Sequence, residues 1–191
     1  MRSRALAALL TAGVLALGTA GCSGSDAAKE ALGPKPDLPT APTEPLWNPC
    51  SALDLDEVNE LFSATFSQQT GSASEPTCTF TPSADGAVAI DINYSLYAGT
   101  LRDIVAALGD PESVGATLTA PRLPDANGAR IISNVTDDTL AVTGFVRNGR
   151  LVQFVNALDP APYDKAGTVR GVRELMVRLA KHADESGLSG S

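Results

Sequence analysis

The chain has 191 residues, with 14 Lys+Arg against 22 Asp+Glu for a formal charge of -8, 43% hydrophobic and 19% charged residues. That is ordinary globular composition, and it excludes wholesale disorder. One histidine, three cysteines and 5% aromatics leave no pool of ligands for a zinc site and no stacking platform for single-stranded nucleic acid, and a net acidic chain repels phosphate backbones; neither metal, other cofactor nor nucleic acid is expected.

Arg2 and Arg4 precede residues 5–20, an uncharged run rich in Ala and Leu, which is the order of a secretory signal. Such a run reaches only about 24 Å as a helix, short of a hydrocarbon core of roughly 30 Å, so residues 1–21 are predicted to be a cleaved signal peptide rather than a membrane span. The run ends Thr19-Ala20-Gly21-Cys22-Ser23. It resembles the lipobox of bacterial lipoproteins, although Thr19 stands where that pattern prefers a bulky aliphatic residue. The resemblance implies lipidation of Cys22, with palmitate-type acyl chains, and a place on the extracytoplasmic face of the cell membrane. Two acyl chains, at about 0.8 kcal/mol per buried methylene, make a stable anchor. Removing Arg2 and Arg4 with the leader leaves 12 basic against 22 acidic side chains, a formal -10.

Residues 22–46 carry Gly, Ser, Ala and the prolines Pro34, Pro36, Pro39, Pro42 and Pro45. With almost no apolar periodicity this segment is expected to be a disordered tether with extended polyproline character. Residues 39–43 also fit an O-glycosylated stalk, and linker composition explains them equally well.

Residues 47–183 are predicted to form one domain, followed by a disordered polar tail at 184–191. With Cys22 lipidated, Cys50 and Cys78 remain as an even pair in an exported chain and are expected to form a disulfide. Closing that loop stabilises by about 3.5 kcal/mol on the chain-entropy estimate. After Cys50, Asp54 with Glu57 at the third position marks a helix start, and Val58, Leu61 and Phe62 give it an apolar face. The acidic set Asp54, Asp56, Glu57 and Glu60 lacks the spacing and central glycine of a calcium loop and reads as helix-start chemistry.

Residues 77–81 and 88–97 alternate apolar and polar around Asp85-Gly86, predicting a hairpin with Asp91, Asn93 and Ser95 toward water. Thr100 and Asp103 cap a second helix whose buried stripe is Leu101, Ile104, Val105 and Leu108, ended by Gly109 and Pro111. Short strands are expected at 114–118 and 129–133, separated by an irregular excursion at 120–128 of the kind that often bears function. Residues 139–147 and 150–157 flank Asn148-Gly149, a strong hairpin signal that would pair Arg147 with Arg150, Val146 with Leu151 and Phe145 with Val152. Both faces of that hairpin are apolar. Either helices cover both sides or this is a central strand pair, or else Phe145, Val152 and Phe154, rimmed by Arg147 and Arg150, hold an amphiphilic or protein ligand. Residues 168–181 close the domain as a helix with Val169, Val172, Leu175, Met176 and Leu179 on one face. Residues 47–112 carry ten acids and one base, Arg102, whereas 113–182 carry six acids and nine bases. The fold class expected is α+β, a single domain with an antiparallel sheet of five to six strands packed with three helices.

The opening Asn48-Pro49-Cys50-Ser51-Ala52-Leu53 and the later Cys78-Thr79-Phe80 resemble the DUF3558-type lipoproteins of actinobacteria, in which a Pro-Cys-x-x-Leu opening and a Cys followed by an aromatic come after a lipobox and a low-complexity tether. Phe80 stands where that family commonly has Trp. The resemblance implies a disulfide-bonded secreted envelope lipoprotein and carries over no catalytic residue. No nucleophile elbow, P-loop or dinucleotide fingerprint is present, and His182 at the end of the last helix is a poor seat for a general base. The expected function is a non-catalytic, membrane-anchored binding module for a partner protein, lipid or wall component, ahead of a structural or assembly role and of a cell-wall hydrolase.

Overall fold

The computed structural model describes residues 48–72 and 74–187. The leader, Cys22 and the tether lie outside the described residues, as do residues 188–191 of the predicted tail. In the Asn48 to Leu53 opening, the Asn48 side chain accepts from the Cys50 N–H and starts a 3-10 turn, Pro49–Ala52. Asp54 then accepts from the amides of Asp56 and Glu57 and starts α1 (Leu55–Phe62), which stops where Ser63 turns left-handed at φ 50°. The acidic residues are thus used as a helix start, and among the described residues no group of three or more His, Cys, Asp or Glu is placed to hold a metal.

Seven strands follow: β1 (Phe66–Thr70), β2 (Thr77–Pro82), β3 (Ala89–Leu96), β4 (Thr117–Thr119), β5 (Gly128–Thr136), β6 (Thr139–Asn148) and β7 (Leu151–Pro160), with α2 (Leu101–Ala107) after β3 and α3 (Lys165–Glu185) last. They form one antiparallel sheet in the order β1-β2-β3-β7-β6-β5-β4. The class is α+β with three helices, as expected, but the sheet has seven strands rather than five or six. The additional strand is β1, an edge strand that buries only Phe66 and is otherwise Ser, Gln and Thr, so it carries no apolar alternation. The strand expected at 114–118 moves too. Pro111–Val114 is a 3-10 turn closed by Gly115 at φ 74°, and only Thr117–Thr119 pairs with β5.

Cys50 and Cys78 are bridged, with their Cα atoms 5.0 Å apart, tying the opening turn to β2. One face of the sheet is the main core. Cys78, Phe80, Ile90, Ile92, Leu140, Val142, Val146 and Val155 pack there against Val172, Leu175, Met176 and Leu179 of α3. Helix and sheet meet closely at Gly144, where an added Cβ would lie 2.5 Å from Met176 Sδ and 2.9 Å from Val172 Cγ1. On its other side α3 takes α1, with the Phe62 ring over Gly171 and an Arg178–Glu57 ion pair. The helix runs on to Glu185 because Ala183 is fully buried with Tyr94 and Leu151, so residues 184 and 185 are helical rather than part of a disordered tail.

Candidate functional site

The opposite face of the sheet is covered only at one end. The register sets Gln69, Thr79, Asp91, Asn156, Thr143, Ile132 and Leu118 in one row across all seven strands, polar over the first five and apolar over the last two. Asp91 accepts from the Thr79 hydroxyl at 3.0 Å and from Asn93 Nδ2 at 3.3 Å, as suits a sheet face that meets water.

Over the other end lies α2. Its Thr100 caps Asp103 and Asp103 accepts in return from the Thr100 N–H, at 2.7 Å. Leu101 packs on Phe145 and Val152, with Ile104, Ile132 and Phe154 beside them. Phe145 and Phe154 meet edge to face at 5.5 Å. The proposed ligand surface of Phe145, Val152 and Phe154 is therefore covered: Phe145 is 2% exposed and Val152 0%, and only Phe154 is half-buried. Burial under a helix accounts for the second apolar face of the β6–β7 hairpin, and these two strands are also central in the sheet order.

The arginine rim is rearranged as well. Asn148 pairs with Leu151 and Arg147 with Val152, so the two-residue turn is Gly149-Arg150 rather than Asn148-Gly149. Gly149 has φ 58° while Arg150 does not have positive φ, the pattern of a II′ turn, whose first position favours glycine. The cause is the Asn148 side chain. It is 1% exposed and its amide donates to the carbonyls of Asp125 and Ala180, so it belongs to the core. The Arg147–Arg150 pair does not form, and Arg150 stands exposed in the turn.

Two depressions flank α2 instead. At its start, Arg102, Arg130 and Arg147 come together with Thr100, Asp103 and Asn127 around a cavity of about 470 Å³. At its end, Leu108, Pro111, Val114, Ala116, Ile132 and Thr143 line a cavity of about 240 Å³. Leu108, expected in the buried stripe of the helix, and Val114, expected to open a strand, are 64% and 66% exposed at its rim. Leu118, opposite Ile132, is 38% exposed and extends the apolar strip. Asp103 is held below the usual carboxylate range, first by the Thr100 hydrogen bonds and then by the charges of Arg102 and Arg147.

Sequence reasoning placed Arg147 at a binding rim and noted Arg102 as the lone base in its half, but missed Arg130, Leu108 and Val114. Arg130 interrupts an apolar strand, which was the available signal; its meeting with Arg147 depends on a register fixed by the turn at Asp137-Asp138, both left-handed at φ 50° and 59°. The excursion at 120–128 is pinned rather than open. Leu123 is buried, and Asn127 donates its N–H to Arg147 O and accepts from the Gly149 N–H.

His182 lines a separate cavity of about 210 Å³ with Ser51, Arg178 and Glu185. The Ser51 hydroxyl donates to the Asn48 carbonyl at 2.7 Å, so it is not set up as a nucleophile hydrogen-bonded to His182. No described helix is long and apolar enough to cross a membrane. No protein-family model, curated protein or solved structure matches the chain.

Proposed function

We propose that the protein is a membrane-anchored cell-envelope lipoprotein, held through Cys22, whose domain is a non-catalytic binding module for an amphiphilic ligand lying along α2. The observation that carries this reading is the mostly apolar pocket at Leu108, Val114 and Ile132, where Leu108 and Val114 leave apolar surface in water, with a cationic depression at the other end of the same short helix. A helix of this length spans roughly 10 Å, a distance one amphiphile bridges. The apolar cavity is smaller than the usual 300–1,000 Å³ of small-molecule pockets, so it suits the end of an acyl chain or one large side chain of a partner protein rather than a whole lipid. The Cys50–Cys78 bridge supports an oxidising compartment outside the cytoplasm. The lipobox and the DUF3558-like opening belong to the same reading.

Anilinonaphthalene sulfonate, an anionic amphiphile that fluoresces when desolvated, tests it. The folded full-length protein should bind the dye, and Val114→Asp should abolish binding while leaving the melting temperature unchanged. Dye binding that survives Val114→Asp, or none at all, contradicts the reading. If the pocket takes a protein side chain instead, the dye will be displaced by that partner and not by alkyl phosphates.

A further inference from the structure

We infer that the depression formed by Arg102, Arg130 and Arg147 is a binding site for a phosphate-type oxyanion. The inference deepens the amphiphile reading, because it names the polar end of the ligand, but it rests on its own residues.

Arg130 and Arg147 belong to adjacent strands and one sheet face. Arg130 lies opposite Phe145, and Arg147 is two residues further along, so the two are diagonal neighbours roughly 7–8 Å apart at the backbone. Arg102 reaches the same cavity from α2. Each strand arginine has one donor engaged locally: Arg130 Nη1 to Ala129 O at 2.7 Å and Arg147 Nε to Gly149 O at 2.6 Å. These bonds hold the guanidinium groups in place and leave most of their N–H donors over. None of the three arginines forms an ion pair among the described residues; the salt bridges there are Arg178–Glu57 and Lys181–Glu185. The one carboxylate in the cavity, Asp103, accepts from both the N–H and the hydroxyl of Thr100 at Oδ2.

Three cations stand against one carboxylate in this depression, and Arg130 and Arg147 are half-buried, which leaves a local excess of positive charge. Removing a cation from water without a partner is costly, and a bound anion removes that cost. The geometry selects the anion. One guanidinium fork satisfies a planar carboxylate, whereas donors converging from two strands and a helix suit a tetrahedral group with oxygens in several directions.

Calorimetric titration of the full-length protein with inorganic phosphate, acetate and monomeric dihexanoyl phosphatidic acid tests the site. Phosphate should bind and acetate should bind at least roughly tenfold more weakly. Arg130→Gln with Arg147→Gln should weaken phosphate roughly a hundredfold, about tenfold for each charge-assisted contact, and Arg150→Gln with Arg173→Gln should change nothing. Arg102 is exposed, so Arg102→Glu provides the same test should the double variant fail to fold. Equal affinity for phosphate and phosphatidate would identify free phosphate as the source. Tighter phosphatidate binding, with the increment removed by Val114→Asp, would identify a lipid headgroup. Phosphatidate binding that ignores the arginine variants overturns the anion site and leaves the amphiphile reading standing. Absence of phosphate binding, with the dye still held in a Val114-dependent way, also overturns the anion site alone.

Discussion

Asn148 commits its side-chain amide to the carbonyls of Asp125 and Ala180, and that choice moves the β6–β7 turn by one residue. The shift changes every cross-strand pair, yet it keeps each residue on its expected face, since moving a turn by one position slides the pairing by two and side chains alternate with period two. The division of Leu140, Val142 and Val146 from Phe145 and Phe154 was therefore legible in the sequence, while the Arg147–Arg150 rim was not, because a buried asparagine and a turn asparagine look alike in sequence. Replacing Asn148 by Asp should destabilise the domain by about 3 kcal/mol or more by placing a charge among carbonyls, read as a lower denaturation midpoint. Asp103 should titrate by NMR below the ordinary carboxylate value of about 3.9. Because its folded pKa is depressed, its contribution to stability is present above the unfolded pKa and is lost as pH falls through the folded one. Burial raises the Tyr94 phenol from its ordinary 10.0 to about 12. Its neutral form is favoured by folding, so stability is complete below pH 10 and declines as pH rises toward 12, and the late step in the phenolate absorbance should vanish in Tyr94→Phe.

Among the elements, α2 decides what the second sheet face can do. Its capping box and the terminating Gly109 and Pro111 could be read directly, and so could the buried stripe as far as Val105. Leu108 escaped because a helical period continues the stripe only where there is something to pack against, and the helix ends at Ala107 over the open rim. β1 escaped for the complementary reason: an edge strand with one inward apolar residue gets its structure from backbone pairing with β2, not from its own pattern. Paired substitutions separate core from surface here. Phe145→Ala should cost about 3–5 kcal/mol, as a fully buried aromatic does, whereas Leu108→Ser should stay within about 0.5 kcal/mol of the parent. Thermal melting of the two variants measures both, and a large loss for Leu108→Ser would place that residue in the core. Gly144→Val should likewise destabilise by about 1–3 kcal/mol, since the new side chain meets Met176 and Val172 of α3.

Over the domain as a unit, the sheet has a side closed by helices and a more open side. The closed side holds α3, α1 and the disulfide-tied opening; the open side holds the polar strand surface and the two depressions along α2. Reducing Cys50–Cys78 should lower stability by about 3.5 kcal/mol through the released loop, measured by denaturant titration with and without reductant, without altering the α2 face. The proposed anchor acts on the other part of the chain: Cys22→Ser should release the protein from the membrane fraction or leave an uncleaved precursor, and a mature form still requiring detergent would count against lipidation. Whether ligand is held on the α2 face is read out by amide NMR of the full-length protein titrated with dodecyl phosphate. Shifts should gather at residues 100–103, 108–116, 130–134 and 143–147, with the exposed residues Arg170 and Arg173 of α3 unmoved; shifts centred on α3, or none anywhere, would rule out binding on the α2 face.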